Sequence, residues 1–413
     1  MKATVLSIGT ELSRGEIVNT NATWLCDRLT SLGAVVTQVR VVDDDPLRIR
    51  QALSELSQAS AVLVCTGGLG PTTDDLTAQT VAEFLGVELV VDQPSLDRIR
   101  ELLIRRGREL SASNAKQAAL PQGCHVLTND YGTAPGFKVQ LTSTCEAYFL
   151  PGVPREMSGM FSDRVAADVS SRLQGVRSHQ EQLRVFGLPE SHVNDALRGV
   201  EETFGVTIGY RAHFPEVFVK ALAFRDTEAE AHAASFAAAA EIERRLGDYV
   251  YARGDRTLVA TVATLLADRK WTLGLAESCT GGLVAQLVTQ EPASHYFRGG
   301  VVCYDNDVKR ALLGVSPDTL ANHGAVSRET VIAMANGIRH ALNAEVGLSF
   351  SGIAGPTGGT DTKPVGLVHF AVSTPLGVEA REQVFPGERP AVQLRAAYAG
   401  LDLLRRILLA AAP

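Results

Sequence analysis

Ser278 stands in Glu277-Ser278-Cys279-Thr280-Gly281-Gly282, directly after an apolar run at residues 272–276 and directly before Leu283-Val284-Ala285, where a helical pattern begins. A serine on a strand-to-helix turn with small residues behind it has the placement of a nucleophile. Its hydroxyl is exposed, and backbone N–H groups at the start of the helix can hold an oxyanion. The same residue types also make an ordinary helix cap with glycines for a tight turn. Further on, Gly299-Gly300-Val301-Val302-Cys303-Tyr304-Asp305-Asn306-Asp307-Val308-Lys309 sets a tyrosine and a lysine just past a second apolar strand. A lysine beside a serine serves as its base once burial lowers its pKa, the arrangement of Ser-Lys hydrolases. In isolation, a lysine at this position reads as a solvated residue opening a helix. Cys279 is the competing nucleophile, but no histidine partner is evident, and a residue one step along the turn points elsewhere.

Two further glycine-rich segments suit anionic ligands. The loop Ser351-Gly352-Ile353-Ala354-Gly355-Pro356-Thr357-Gly358-Gly359-Thr360 leaves an apolar strand at 346–350, and its glycines let the backbone approach a ligand and turn successive N–H groups toward it. Near the start of the chain, Gly9-Thr10-Glu11-Leu12 follows the first strand and Asn19-Thr20-Asn21 precedes the first helix. Thr66-Gly67-Gly68-Leu69-Gly70-Pro71-Thr72-Thr73-Asp74-Asp75 follows a strand at 61–65. There the glycine N–H groups suit phosphate, and Asp74 or Asp75 suits a divalent cation bridging it. Capping of the following helix is the competing role for these acids.

The elements that must position these residues fall into three stretches. Residues 3–8, 21–32, 34–42, 47–56 and 61–65 alternate strand and helix patterns, the order of a parallel sheet with crossover helices, whose ligands bind beyond the carboxyl ends of the strands. From about 180 to 253 a short strand at 183–186, a helical stretch near 191–200, strands at 206–210 and 217–224 and an alanine-rich helix at 228–246 read as a small α+β module. A helix at 258–266 and the strand at 272–276 then open a second α/β domain. The 413 residues exceed one usual core, and 45% apolar with 21% charged residues excludes a disordered chain. A net charge of −7 makes nucleic acid a poor partner. The first apolar run is too short for a signal peptide or a membrane span, so a cytoplasmic protein with no membrane partner is expected. The 6 cysteines and 9 histidines are dispersed, with neither a C-x-x-C pair nor an H-x-x-x-H spacing. Any metal must therefore be held mainly by carboxylates or by substrate phosphates.

Taken together, AESCTGG, GGVVCYDNDVK, HGAVS and SGIAGPTGGTDTKPVG resemble the C-terminal domain of the competence/damage-inducible protein CinA family, the nicotinamide mononucleotide deamidases. The resemblance implies that Ser278 is the nucleophile, Lys309 its general base, Tyr304 an assisting hydroxyl and Thr280 a neighbour of the reacting amide. It places Arg389 near the substrate, with Gly281, Gly282, Asn306, Ser351, Gly352, Gly355 and Gly358 as further substrate contacts, and it implies no cofactor for the deamidase. The segments at 9–12, 19–21 and 66–77, with 129–136 and 151–157, look like the family's N-terminal domain. That domain is related to molybdopterin-binding proteins and linked to hydrolysis of the ADP-ribose pyrophosphate. This implies Thr10, Glu11, Asn21, Gly67, Gly68, Gly70 and Thr133 at the ligand and Asp74 and Asp75 at a divalent metal ion of open identity.

The middle stretch is similar to the family's KH-like insert, but it shows no G-x-x-G loop and no basic surface, which argues against RNA binding. The expected fold class is α/β: two parallel-sheet, three-layer domains at 1–170 and 254–413, joined by a KH-like α+β module at 171–253. The expected function is hydrolysis of nicotinamide mononucleotide and of ADP-ribose by a homodimer. In the alternative, the first domain binds a pterin or nucleotide without turnover, in connection with molybdenum cofactor.

Overall fold

The computed structural model describes residues 1–173 and 176–410. The chain divides into two compact units, residues 1–180 with 223–234, and residues 181–222 with 235–413.

The first unit is built on a six-stranded sheet in the order Val35–Val42, Lys2–Ile8, Val62–Thr66, Glu146–Leu150, Gly136–Gln140, His125–Leu127. The first four strands run parallel and the last two antiparallel. Val62–Thr66 and Glu146–Leu150 are buried along their whole length, which is why 62–65 and 147–150 are unbroken apolar runs rather than alternating ones. Successive side chains still go to opposite faces. Leu63 and Cys65 join Ile49 and Leu53 of the helix Pro46–Ala59, whereas Val62 and Val64 join Leu25 and Leu29 of the helix Thr20–Ser31.

The second unit carries a five-stranded sheet in the order Phe297–Val302, Leu273–Glu277, Val346–Gly352, Leu367–Thr374, Gly377–Val384. Its first three strands are parallel and its last two antiparallel. The helices Leu258–Arg269 and Arg389–Ala410 share one core with Leu275, Leu348 and Phe350, while Met334 and Ile338 of Arg328–Ala341 pack with Ala276 and Cys303 in another. Phe186 and Tyr251, from the middle stretch, belong to the first of these cores.

Both domains are α/β layers as expected, but each sheet ends in an antiparallel pair. The connections at 141–145 and 375–376 are far too short for the crossover that a parallel strand needs, so the chain can only turn back as a hairpin. In the middle stretch the strand expected at 183–186 runs over Arg177–Val185, because its polar first half is only half-buried and carries no apolar alternation. The helix expected near 191–200 is two, Glu190–Ala196 and Val200–Phe204, interrupted at Gly199, whose φ of 80° lies in the left-handed region. Among the described residues no helix is long and apolar enough to cross a membrane.

Candidate active sites

In the second unit, Ser278 follows the strand Leu273–Glu277, and its backbone N–H donates to the Phe350 carbonyl on the neighbouring strand at 3.0 Å. The turn is thereby fixed to the sheet. Ser278, Cys279, Tyr304, Asn306, Lys309, Ser351, Gly352, Ala354 and Arg389 line one cavity of about 210 Å3, together with Ala325 and Val326 from the HGAVS segment. The Ser278 hydroxyl has no protein partner among the described residues, so it is free to meet a ligand.

Lys309 reaches this cavity from the helix Asn306–Leu313, whose buried residues are Lys309 and Leu313, one turn apart on the inner face. Only 1% exposed, it is not the solvated lysine that its position alone would suggest. Its Nζ donates to the carbonyl oxygens of Cys303 at 2.9 Å and Tyr304 at 3.1 Å. Burial drives its pKa below the usual 10.5, with Cys303 and Asp305 pulling the other way. A neutral amine donating two N–H bonds keeps a lone pair, the feature that a base needs. Cys279 is in the opposite situation. Burial pushes its thiol up to about 12, so the thiolate is scarce near neutral pH.

Arg389, at the start of the helix Arg389–Ala410, donates to the Gly355 carbonyl and to the Tyr304 hydroxyl, each at 2.9 Å. It joins the glycine-rich loop to an otherwise exposed tyrosine. Ser351 is held by a 2.7 Å bond to the Ala325 carbonyl. Thr280, Gly281, Gly282, Gly355 and Gly358 lie outside the cavity lining, and the buried Thr280 hydroxyl is unpaired.

One expectation is corrected. The start of the helix Leu283–Thr289 cannot supply the oxyanion site, because the buried Glu277 carboxylate already accepts from the N–H groups of Gly282 at 3.0 Å, Val284 at 3.1 Å and Ala285 at 2.8 Å. The donors left over are the backbone N–H groups of Cys279 and Thr280, which donate to no carbonyl or carboxylate among the described residues and lie beside the Cys279 sulfur. Gln393 steadies the same turn by donating to the Cys279 carbonyl at 2.8 Å. Neither Glu277 nor Gln393 stands out in sequence, since each acts through backbone groups that only the folded turn aligns.

In the first unit, the carboxyl ends of three strands converge. Gly67 has φ 108° and donates to Leu150 O at 3.0 Å, and a side chain there would run into the Ile8 carbonyl. Above this junction lies a cleft of about 490 Å3 lined by Glu11, Asn21, Gly67, Gly68, Gly70, Asp74, Asp75 and Thr133. Asn21 donates to Thr66 Oγ1 at 3.2 Å and to the Gly152 carbonyl at 2.7 Å. Thr10 is not in the lining; its N–H and hydroxyl both hold Asp44, which is, at 2.8 Å. Asp75 accepts from the N–H of Thr72 at 2.8 Å and from its hydroxyl. The helix Thr77–Leu85 has no side-chain cap, so neither aspartate is spent as one. The Thr72 hydroxyl also lowers the pKa of the exposed Asp74, which keeps it ionised.

Residues that the sequence reading missed complete the cleft: Asp44, Gln117 and Glu156. Glu156 accepts at 2.6 Å from Asn129, whose own carbonyl holds the N–H groups of Tyr131 and Gly132 and so shapes the loop bearing Thr133. The carboxylates of Glu11, Asp44, Asp74, Asp75 and Glu156 line the cleft, and among the described residues no lysine, arginine or histidine does. Among the described residues no three of these acids gather their oxygens into one cluster.

Family models match the chain in three consecutive segments: a probable molybdopterin binding domain at residues 4–169, the damage-inducible protein CinA KH domain at 180–252 and the CinA C-terminal domain at 255–408. A CinA-like protein from Anaeromyxobacter sp. (strain Fw109-5) is 44% identical over 98% of both chains. The chain belongs to the CinA family. A second CinA-like relative, from Geobacter sulfurreducens, is 42% identical over 100% of both chains. Among solved structures, the competence/damage inducible protein CihA from Agrobacterium tumefaciens is 37% identical, covering 37% of this chain and 93% of its own, with a TM-score of 0.36. The CinA protein from Thermoplasma acidophilum is 34% identical over 41% of this chain and 97% of its own, with a TM-score of 0.38.

Proposed function

We propose that the second unit is an amidase that converts nicotinamide mononucleotide to nicotinate mononucleotide and ammonia. The observation that carries this reading is Lys309, buried, its pKa lowered, on the same cavity as an unpartnered Ser278 hydroxyl. Ser278 Oγ attacks the carboxamide carbon while its proton passes to Lys309 Nζ, and the N–H groups of Cys279 and Thr280 receive the oxyanion. Ammonia departs with that proton, leaving an acyl ester on Ser278. Water, deprotonated by the same lysine, then releases the carboxylate and restores the hydroxyl. Arg389 is the cation nearest to hand for the substrate's phosphate, and its bond to Tyr304 keeps that hydroxyl beside the reacting group. Incubation of the purified protein with nicotinamide mononucleotide and assay of ammonia tests the reading.

The first unit is read as a hydrolase of the ADP-ribose pyrophosphate. A cleft of carboxylates without a cation repels phosphate unless a divalent metal ion accompanies it, so the donor set fits such an ion. Asp74 and Asp75 would hold it, and since the acids do not converge, ligand phosphates and water would complete its shell. When bound, it would supply charge neutralisation of the pyrophosphate. The chain's own part is to offer the N–H groups of Gly68 and Gly70 to phosphate oxygens, with Gly67 pinned to the sheet beneath them, and to hold the rest of the ligand between Asn21 and Thr133. The match to molybdopterin binding domains favours a second reading, binding without turnover. Formation of AMP from ADP-ribose and a divalent metal separates the two.

A further inference from the structure

Gln117 has no role in any of these readings, yet its surroundings are unusual. It follows the short helix Ala112–Lys116 and is only 7% exposed. Its buried carbonyl oxygen has no hydrogen-bond partner, and its amide nitrogen has none among the described residues either. A buried carbonyl oxygen without a donor costs stability, so its presence needs a reason outside the folded chain's own bonding.

Its place supplies one. Gln117 lines the main cleft, and it also lines a second, small cavity of about 30 Å3. The two cavities share Gly68, Leu69, Gly70, Asp75 and Gln117. The smaller one has room for an ordered water, and it offers a carboxylate, a carboxamide and glycine backbone, the two to four polar partners that an ordered water requires. The neighbouring Lys116 also lines the smaller cavity but not the main cleft. Its ammonium donates to the Thr72 carbonyl at 2.7 Å and so fixes this segment against the 70–75 loop.

We propose that Gln117, together with Asp75, positions the water that attacks the pyrophosphate in the main cleft, an inference that rests on the hydrolase reading of the first unit. A carboxamide can accept from a water O–H through its oxygen while its N–H2 donates to a phosphoryl oxygen, and it orients attacking water in the same way in other phosphoryl-transfer sites. The water oxygen bonds to one phosphorus, and the bond from that phosphorus to the bridging oxygen breaks, its electron pair leaving on the departing phosphate. The proton released by the water leaves to solvent. AMP and ribose 5-phosphate account for every atom of ADP-ribose and water.

The test is Gln117→Met in the full chain, a volume-conserving change that removes both polar ends. With ADP-ribose and a divalent metal, kcat should fall by about a hundredfold, the scale of a lost proton-handling or orienting group. KM should stay within about threefold, because a water-positioning group contributes little to ground-state binding. The melting temperature should hold or rise, since an unpaired buried amide has been replaced by an apolar chain, and deamidation of nicotinamide mononucleotide should be unchanged. Turnover near the wild-type rate would overturn the proposal. So would a lost kcat with a lowered melting temperature, which marks a structural role, or a raised KM with kcat intact, which marks a ligand contact. If the wild-type protein itself makes no AMP, the hydrolase reading fails and takes the proposal with it.

Discussion

At the scale of single residues, Ser278 and Lys309 share one cavity, but the lysine bonds to two carbonyls rather than to the serine. Residues that act as one unit give non-additive losses, so Ser278→Ala, Lys309→Ala and the double variant should lose deamidation about equally, each by on the order of a thousandfold or more. Cys279→Ser should be much milder, since a thiol pushed up to about 12 contributes little thiolate. The lysine must be neutral to accept a proton, and burial holds its pKa below 10.5, so deamidation should rise as pH rises through that lowered value. A rate that falls over the same range, measured at saturating substrate, would count against Lys309 as the base. Both residues were legible in sequence because their motifs are local. Gln393 and Asp44 were not, because they act on Cys279 and Thr10, which are close only in the folded chain.

At the scale of elements, the turn that carries the serine depends on Glu277. Its carboxylate takes three N–H groups at the start of the helix Leu283–Thr289, where a helix has orphan donors and a partial positive charge. Glu277→Gln keeps an acceptor but sets an N–H2 against those donors. A loss of about 1–3 kcal/mol is expected, as for a buried donor left unsatisfied, together with weakened deamidation. Thermal melting with parallel ammonia assays checks this, and an unchanged melting temperature would contradict the capping role. The loop at 67–75 offers the corresponding test in the first unit. Replacing Asp74 and Asp75 by Asn should abolish pyrophosphate cleavage and spare deamidation; unaltered AMP formation would dismiss both acids. Strand and helix order was legible wherever burial imposes a clear period, as in the helix Pro46–Ala59, and failed in the half-buried strand Arg177–Val185. Short polar connections could have signalled the antiparallel edges, but only once the partner strands were known.

At the scale of the whole molecule, every residue lining the serine cavity lies in one unit and every residue lining the acidic cleft in the other. The two activities should therefore be separable. A fragment of residues 254–413 should still release ammonia from nicotinamide mononucleotide, but it should melt below the intact chain, because Phe186 and Tyr251 leave the core they share with Leu275 and Phe350. The tripartite organisation was legible in the succession of motifs, and the family models divide the chain at 4–169, 180–252 and 255–408. That Phe186 and Tyr251 pack into the second core was not, since two aromatics in a separate stretch carry no sequence mark of the core that will bury them. The most direct test of the account is the initial rate of ammonia release from nicotinamide mononucleotide by the intact protein, compared between Ser278→Ala and Cys279→Ser. The first variant should be silent and the second should retain most of the wild-type rate. Ammonia from Ser278→Ala with none from Cys279→Ser would make the thiol the attacking group, and no ammonia from the wild-type protein would refute the amidase reading.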